Sequence, residues 1–346
     1  MKKLLVVLLI VVMSMCMFAA CGGGDEEGTG EGEATDTYEL RLTTNYNDGE
    51  PGYEMVEAAC ANIEEKTNGA VKITLYPGSV LGDYTLAYEE LMKGTIDMAL
   101  ISIPGEYDPR LEMVFFPFLV ENYAQLEPVF GRDSWFFQQF SGVNQELGVT
   151  CFGVYIDGFM GVATNKKAPV EPLDPDVNKD ILLRCPPQDI FKASMEDIGY
   201  STVTVAYAEL YSALQTGVCE GCTGLTPQLV YNVIRDVTGY FVTYNNALEV
   251  MGLFGSSAVF DGMPEEYKTV VADEMYQVSL DSFAAAEQND TDFIQQLADY
   301  GVEIIDLTDE ERAALADTVR ERSWPVMKDK LGDELYNGIL DFVETL

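Results

Sequence analysis

Two apolar periodicities alternate along residues 38–103, and this alternation restricts the fold more than any other feature of the sequence. A period of two is typical of a strand, whereas apolar residues at helical intervals indicate a helix. Strand and helix alternate, starting with a strand, over residues 38–46, 52–69, 70–77, 84–95 and 96–103. The last segment, "IDMALISI", is almost continuously apolar, as buried parallel strands are. The pattern therefore predicts a doubly wound parallel α/β sheet with a ligand crevice at the carboxyl ends of its strands.

The same pattern returns further along the chain. It predicts strands at 148–156, 180–187 and 201–207, a crossing strand in "MGVATN" at 160–165, and helices at 188–199 and 208–217. A long helix begins near Pro264, because Val271, Met275 and Val278 keep helical spacing after it. Roughly 310 residues exceed what a single core holds, so we expect two α/β domains.

The N-terminus has the layout of a secretory signal peptide over residues 1–20. Lys2 and Lys3 precede an apolar stretch that ends in "FAAC". This ending predicts a bacterial lipoprotein, in which Cys21 is acylated and becomes the first residue of the mature chain; the alternative is an ordinary cleavage site that includes a cysteine. Residues 21–37 are rich in glycine and acids, and we expect them to be a disordered tether.

The acidic surplus limits what the chain can bind. The formal net charge is −38, and it becomes about −40 if Lys2 and Lys3 leave with a signal peptide. Such a field repels nucleic acid and anionic lipid head groups. It also repels anionic ligands at long range, so an anion site depends on local cations and backbone donors. No apolar run after Cys21 approaches the ~20 residues that cross a bilayer, which predicts a soluble extracytoplasmic body.

The chain contains no histidine, which excludes several enzyme classes. No Ser-His-Asp or Cys-His nucleophile can form, and no phosphate-binding GxxxxGK[ST] loop occurs. Within "CEGC", Cys219 and Cys222 could be a redox pair, half a zinc site or a local disulfide. We predict small semi-buried thiols, no metal site and no cofactor, and the pairing of these two cysteines stays open. The other cysteines of the mature chain are Cys21, Cys60, Cys151 and Cys185.

Residues 174–180, "DPDVNKD", alternate acids and amides as a calcium-binding loop does. Lys179 stands where such a loop needs glycine, and Cys185 stands where its bidentate glutamate belongs. We therefore predict an ordinary Asp-rich turn rather than a calcium site.

Arg184 is the candidate binding residue that the sequence indicates most strongly. In "ILLRCPP" it follows an apolar strand that Pro186 and Pro187 must end, since proline cannot donate to a sheet ladder. At a strand end near the predicted crevice, its planar guanidinium can clamp a carboxylate through two parallel hydrogen bonds. The alternative is a structural ion pair with a neighbouring Asp or Glu. The residue pattern alone leaves both interpretations open.

Five stretches follow one another in a recognisable order: "EEKTNGAVKITLYPGSVLGDYTLAYEELMKGTIDMALIS", "VFFPFL", "ILLRCPP", "YAELYSALQTGVCEG" and "GVEIIDLTDEERAAL". From about Tyr38 to the C-terminus, the chain resembles the DctP-type solute-binding proteins of tripartite ATP-independent periplasmic (TRAP) transporters. The resemblance implies a two-domain periplasmic-binding-protein-like α/β fold, with doubly wound sheets joined by crossing strands and a long hinge-spanning helix. The implied domains are 38–157 with about 248–288, and about 158–247 with 289–346.

The resemblance also implies a role for Arg184, which falls where the family has the arginine that grips the ligand carboxylate. A second arginine common in the family should fall near Met160 or Gly161, and neither carries a charge. The amide-bearing Q-E-N of the family is replaced by residues 222–224. These departures argue against sialic acid or a simple C4 dicarboxylate held at both ends, and the aromatic content of 11% suggests a monocarboxylate with an apolar or aromatic body. By position, the other expected wall residues are Asn45, Ser102, Tyr155, Phe159 and Thr223.

Together with these features, the resemblance implies a non-enzymatic receptor that captures a small organic acid and delivers it to the membrane permease subunits of a TRAP transporter. The predicted location is extracytoplasmic, with a lipid anchor in the membrane. One alternative is a sensory module of the same fold that reports to a membrane kinase or chemoreceptor. An alternative of another class is an extracytoplasmic enzyme that uses Cys222 or paired carboxylates.

Overall fold

The computed structural model of the protein describes residues 37–346. The predicted signal peptide, the predicted lipidation site Cys21 and all but the last residue of the predicted tether lie outside the described residues. From residue 37 onward the strands are β1 (Tyr38–Thr44), β2 (Val71–Tyr76), β3 (Met98–Ser102), β4 (Val149–Phe159), β5 (Gly161–Thr164), β6 (Leu182–Cys185), β7 (Ser201–Thr204), β8 (Gly221–Leu225), β9 (Tyr240–Val242), β10 (Leu248–Ser256) and β11 (Glu303–Ile305). Every strand predicted from the sequence is present, with ends that differ by a few residues.

The first sheet has the strand order β2-β1-β3-β10-β4. Strand β1 is parallel to β2 and β3, with Leu42 opposite both Leu75 and Met98, so the parallel order predicted for these strands is confirmed. Strand β10, whose direction the sequence pattern does not predict, is antiparallel to β3 and to β4. The reason is the path of the chain, because β10 returns from the second sheet and enters the first from the opposite end.

The second sheet has the strand order β11-β9-β5-β8-β6-β7. Strand β6 is parallel to both neighbours, with Arg184 opposite Val203 on β7 and Cys222 on β8. Strand β5 is antiparallel to β8 and β9. Each sheet therefore combines a parallel part, which brings strand carboxyl ends together, with antiparallel strands next to the connections between the sheets.

The two sheets are connected through strands that continue from one into the other. Only Met160 separates the end of β4 in the first sheet from the start of β5 in the second, and its backbone N–H donates to the Ala247 carbonyl over 2.7 Å. The return connection leads from β9 to β10, whose pairing with β4 shifts register between Glu249 and Val250. The crossing strand predicted in "MGVATN" (160–165) thus corresponds to β5.

The long helix Glu265–Tyr300 has 36 residues and starts directly after Pro264, as predicted. It packs along β4 and ends at Gly301, just before β11 of the second sheet. At the end of β4, the Asp290 carboxylate accepts hydrogen bonds from the Phe159 backbone N–H (2.8 Å) and from the Tyr123 hydroxyl (2.5 Å). Burial raises the pKa of Asp290 to about 8.

The other helices cover the faces of the sheets. The α-helices are Pro51–Lys66, Tyr84–Lys93, Leu126–Phe130, Trp135–Glu146, Asp189–Asp197, Leu210–Thr216, Pro227–Leu229, Ser257–Phe260, Asp309–Ser323, Lys328–Leu331 and Asp333–Val343. Short 3₁₀ segments lie at Pro109–Phe115, Tyr123–Gln125, Tyr207–Glu209, Arg235–Val237 and Trp324–Met327, and a π turn at Val230–Ile234. Gly217 closes Leu210–Thr216 in the left-handed conformation, and Asp83 caps Tyr84–Lys93.

The C-terminal end of the chain contacts segments that precede β4 in the sequence. The ring of Phe342 lies 5.7 Å from Trp135 and 6.0 Å from Phe136, on the helix that precedes β4. The Trp324 indole N–H donates to the Pro117 carbonyl over 2.9 Å. The C-terminal residues therefore contact residues 117–136, which the resemblance implies belong to the first domain, whereas it implies that 289–346 belong to the second. The domain boundaries themselves remain predictions.

Candidate functional site

A cavity of about 100 Å³ lies where the carboxyl ends of the parallel strands of both sheets meet. This volume holds more than a single water molecule and suits a small ligand. The position is the one that the strand order predicts. The cavity is lined by Asn45, Tyr46, Asn47, Glu50, Tyr84, Ser102, Phe115, Arg184, Pro186, Gln188, Phe191, Tyr207, Gly224, Leu229, Asn232, Val233, Glu249 and Met251.

The Arg184 side chain reaches this cavity from β6 and is only 1% exposed. Its Nε donates to the Val205 carbonyl over 2.8 Å, and Nη1 donates to the Thr223 carbonyl over 3.4 Å. Within residues 37–346 it forms no ion pair with a carboxylate, and burial lowers its pKa. Both protein partners are neutral carbonyls, so the positive charge of the guanidinium is left uncompensated.

The backbone around Arg184 holds this geometry. Strands β7 and β8 flank β6 on both sides, and Pro186 follows directly after its last residue. Gly224 of β8 has φ +83, and a Cβ there would lie 2.8 Å from Pro186 Cγ and 3.8 Å from Arg184 Nη1. Glycine therefore allows β8 to approach the strand end that presents the guanidinium.

A buried acid faces the same cavity from the other sheet. Glu249 on β10 is 7% exposed, and its Oε1 accepts a hydrogen bond from the Ser102 hydroxyl over 2.8 Å. Burial raises its pKa to about 8, although the hydrogen bond from Ser102 and the positive charge of Arg184 both lower this pKa. Glu249 has no cationic side chain as an ion-pair partner in the described part of the chain. The cavity thus contains one cationic and one acidic side chain that do not form an ion pair with each other.

Glu50 connects the two sides of the cleft at its rim. It precedes the helix Pro51–Lys66, and its carboxylate accepts from the Asn47 backbone N–H over 2.7 Å. The second carboxylate oxygen accepts from Asn232 Nδ2 over 3.0 Å. Deeper down, the buried Asp157 accepts from the hydroxyls of Tyr46 and Thr226, which belong to opposite sides.

The predicted wall residues divide into two groups. Asn45, Ser102 and Arg184 line the cavity, and their role in ligand binding stays a prediction. Tyr155, Phe159 and Thr223 are not among the residues that line the cavity: Tyr155 packs on the Tyr46 ring at 5.5 Å, Phe159 packs on Tyr123 at 5.0 Å, and Thr223 contributes its carbonyl to Arg184. The interpretation of the sequence missed Glu249, Glu50 and the aromatic residues Tyr84 and Tyr207. A lone acid inside the apolar run "ALEVMG" was the available signal for Glu249.

Two other candidate motifs, "CEGC" and "DPDVNKD", lie within the described residues. Between residues 37 and 346 no cluster of side chains has the composition of a metal site, and the five cysteines there are buried and unpaired. In the predicted turn at 174–180, Lys179 Nζ donates to the carbonyls of Glu171 and Asp174. The lysine ammonium is therefore bound by two backbone carbonyls at this turn.

Comparison with known proteins decides the family. Residues 42–328 match the DctP family, described as bacterial extracellular solute-binding protein, family 7. The chain belongs to this family. Among curated relatives, a solute-binding protein of Albidiferax ferrireducens is 26% identical over 281 residues, which are 78% of this chain and 79% of the relative. The C4-dicarboxylate-binding periplasmic protein DctP of Rhodobacter capsulatus is 24% identical over 72% of this chain and 75% of its own length.

Solved structures show the same fold. A TRAP periplasmic solute-binding protein from Desulfovibrio salexigens with bound orotic acid has a TM-score of 0.79 at 21% identity, over 89% of this chain and 98% of that one. One from Rhodoferax ferrireducens with bound malonate has a TM-score of 0.76 at 23% identity, over 88% and 97%. The fold class and the family predicted from the sequence are confirmed. No helix in residues 37–346 is both long and apolar enough to span a membrane.

Proposed function

We propose that the protein captures a small carboxylate-bearing solute in this cleft and delivers it to the permease of a TRAP transporter. The proposal rests on Arg184, whose buried guanidinium faces the cavity without an acidic partner in the described residues. An uncompensated buried charge costs several kcal/mol, and a carboxylate held by two parallel hydrogen bonds offsets much of that cost. The relatives with bound malonate and orotic acid support a ligand of this class.

A thermal-shift screen of small organic acids tests this function. A ligand that binds only the folded protein adds RT ln(1 + [L]/Kd) to its stability, which is about 2.7 kcal/mol at a hundredfold excess over Kd. We expect at least one carboxylic acid to raise the melting temperature, while its methyl ester, which lacks the charge, does not. The bound acid should be recovered chemically unchanged, because the family consists of solute-binding proteins. Turnover of the acid would favour the enzyme alternative, and a screen without any stabilising acid would contradict the proposal.

We also propose that Cys21 carries a lipid that holds the protein at the outer face of the membrane. The support is the sequence "FAAC" after an apolar stretch, followed by the glycine- and acid-rich residues 22–37. Cells grown with a fatty-acid probe should label this protein, and Cys21→Ser should abolish the label. Cys60→Ser is the matched control, since Cys60 is buried in the folded part and should not affect labelling. A label that persists in Cys21→Ser would refute the anchor.

A further inference from the structure

We infer that the solute carries an ammonium group as well as a carboxylate, and that Glu249 receives the ammonium while Arg184 receives the carboxylate. This inference rests on the proposed function, because it assigns the second half of the same ligand. The solute would then be a zwitterion, such as an amino acid.

The first argument is the charge inside the cavity. Arg184 and Glu249 both line it, both are more than nine-tenths buried, and neither has an oppositely charged side chain as a partner between residues 37 and 346. They do not pair with each other either, since Arg184 donates to carbonyls and Glu249 accepts from Ser102. A buried cation without a counter-charge is costly, and a buried acid without a cationic partner avoids the same cost by staying protonated. A ligand with one group of each sign compensates both at once.

The remaining wall favours a donor and a cation. Gln188 lines the cavity, its Nε2 donates to the Ile103 carbonyl, and its Oε1 is buried without a hydrogen-bond donor in the described residues. An ammonium group supplies such donors. The cavity is also lined by the aromatic rings of Tyr84, Phe115 and Tyr207, and aromatic faces attract cations.

The charge of the whole protein agrees with a zwitterion. A formal charge of −38 creates a field that repels a dicarboxylate at long range. A zwitterion has no net charge and does not meet this repulsion. Glu50 at the rim adds a further negative charge close to the cavity.

Proton exchange separates this ligand from a simple anion. Burial holds the pKa of Glu249 at about 8, so the free protein keeps the carboxyl mostly protonated at pH 7. A bound ammonium favours the ionised form and lowers this pKa, which releases up to about one proton per ligand. A second carboxylate would raise the pKa and release none. The other charged or titratable groups that face Glu249 are Asp157, Arg184, Tyr46, Tyr84 and Tyr207.

The test uses matched acids and calorimetry on the folded protein. Pairs of 2-amino and 2-hydroxy acids with the same side chain are compared, together with ω-amino acids, ω-hydroxy acids and dicarboxylic acids of equal carbon count. We expect the preferred ligand to be an amino acid that binds at least roughly a hundredfold more tightly than its hydroxy partner. Titration at pH 7 in two buffers of different ionisation enthalpy should show proton release.

Variants locate the effect at Glu249. Glu249→Gln keeps the shape of the side chain, and it should weaken amino-acid binding by roughly a hundredfold, abolish proton release and leave hydroxy-acid binding nearly unchanged. Proton release that persists in Glu249→Gln would assign it to another group, such as Asp157, and overturn the inference. The inference would be overturned if a hydroxy acid or a dicarboxylate bound at least as tightly as every amino acid and its binding depended on Arg184 but not on Glu249. The proposed function would survive that result. If no carboxylate of any series binds, the proposed function fails with it. The wild-type preference and proton count decide the question even if a variant does not fold.

Discussion

Arg184→Ala is expected to weaken binding of the carboxylate ligand by several hundredfold or more while the protein stays folded. The variant leaves the ligand carboxylate desolvated and unpaired in the cleft, which costs roughly 3 to 5 kcal/mol. Folding should change little, because the lost hydrogen bonds are to the carbonyls of Val205 and Thr223 and no buried acid loses a partner. Isothermal calorimetry gives the Kd, and thermal unfolding gives the stability of the variant.

Two further variants make this result specific. Arg184→Lys keeps the charge but loses the planar fork, so it should retain only part of the affinity. Arg110→Ala is the matched control: Arg110 pairs with Asp108 and Glu146 and does not line the cavity. Its removal should leave the Kd unchanged. If Arg184→Ala lowers the melting temperature and leaves the Kd unchanged, Arg184 has a structural role and the site assignment is wrong.

The sequence alone predicts the local secondary structure and the position of Arg184, the cationic residue of the site. The strands β1 to β3 and the long helix follow from periodicity, which depends on neighbours within a few positions. The place of Arg184 follows from the two prolines that must end its strand. Both signals are local, and the structure has the strands, the helix and the end of β6 where these signals place them.

The direction of β10 and the role of Glu249 depend on distant parts of the chain. The hydrogen bond between Ser102 and Glu249 joins residues 147 positions apart, and it exists only because β10 pairs with β3. An acid in an apolar run does not reveal on its own whether it faces a cavity, a partner or solvent. The missing information is the register between strands, which a single sequence does not contain.

The direction in which the side chains of Tyr155 and Phe159 face could not be predicted from the sequence, for a related reason. Strand β4 is buried along nearly its whole length on both faces. Its sequence therefore lacks the alternation that marks one face as the core, and this is typical of a central strand. Both residues lie on β4, yet their side chains pack on Tyr46 and Tyr123 and do not line the cavity.

The end of β4, where the chain passes from the first sheet to the second, is tightly packed. Gly158 has φ +148, and a Cβ there would come closer than 3.0 Å to the carboxyl atoms of Asp290. The Asp290 side chain cannot move away without losing its hydrogen bonds from Phe159 and Tyr123. A side chain at this position therefore meets both backbone strain and a steric clash.

Gly158→Ala is accordingly expected to reduce the free energy of unfolding by roughly 2 to 5 kcal/mol, as the sum of backbone strain and overpacking. Gly49→Ala is the control, because Gly49 also has a positive φ (+84) but no atom within 4 Å of the added Cβ. It should show only the strain, about 1 to 2 kcal/mol. Urea denaturation of both variants measures the difference.

A double-mutant cycle with Asp290→Ala identifies the clashing partner. Removing the carboxyl group from the wild type leaves the Phe159 backbone N–H and the Tyr123 hydroxyl without their acceptor, which is destabilising. In the Gly158→Ala background the same change also removes the clash, so Asp290→Ala should cost less there than in the wild type, with a coupling of roughly 1 to 3 kcal/mol. Additive effects of the two substitutions would show that Asp290 does not restrict position 158, and the strain of φ alone would then account for the glycine.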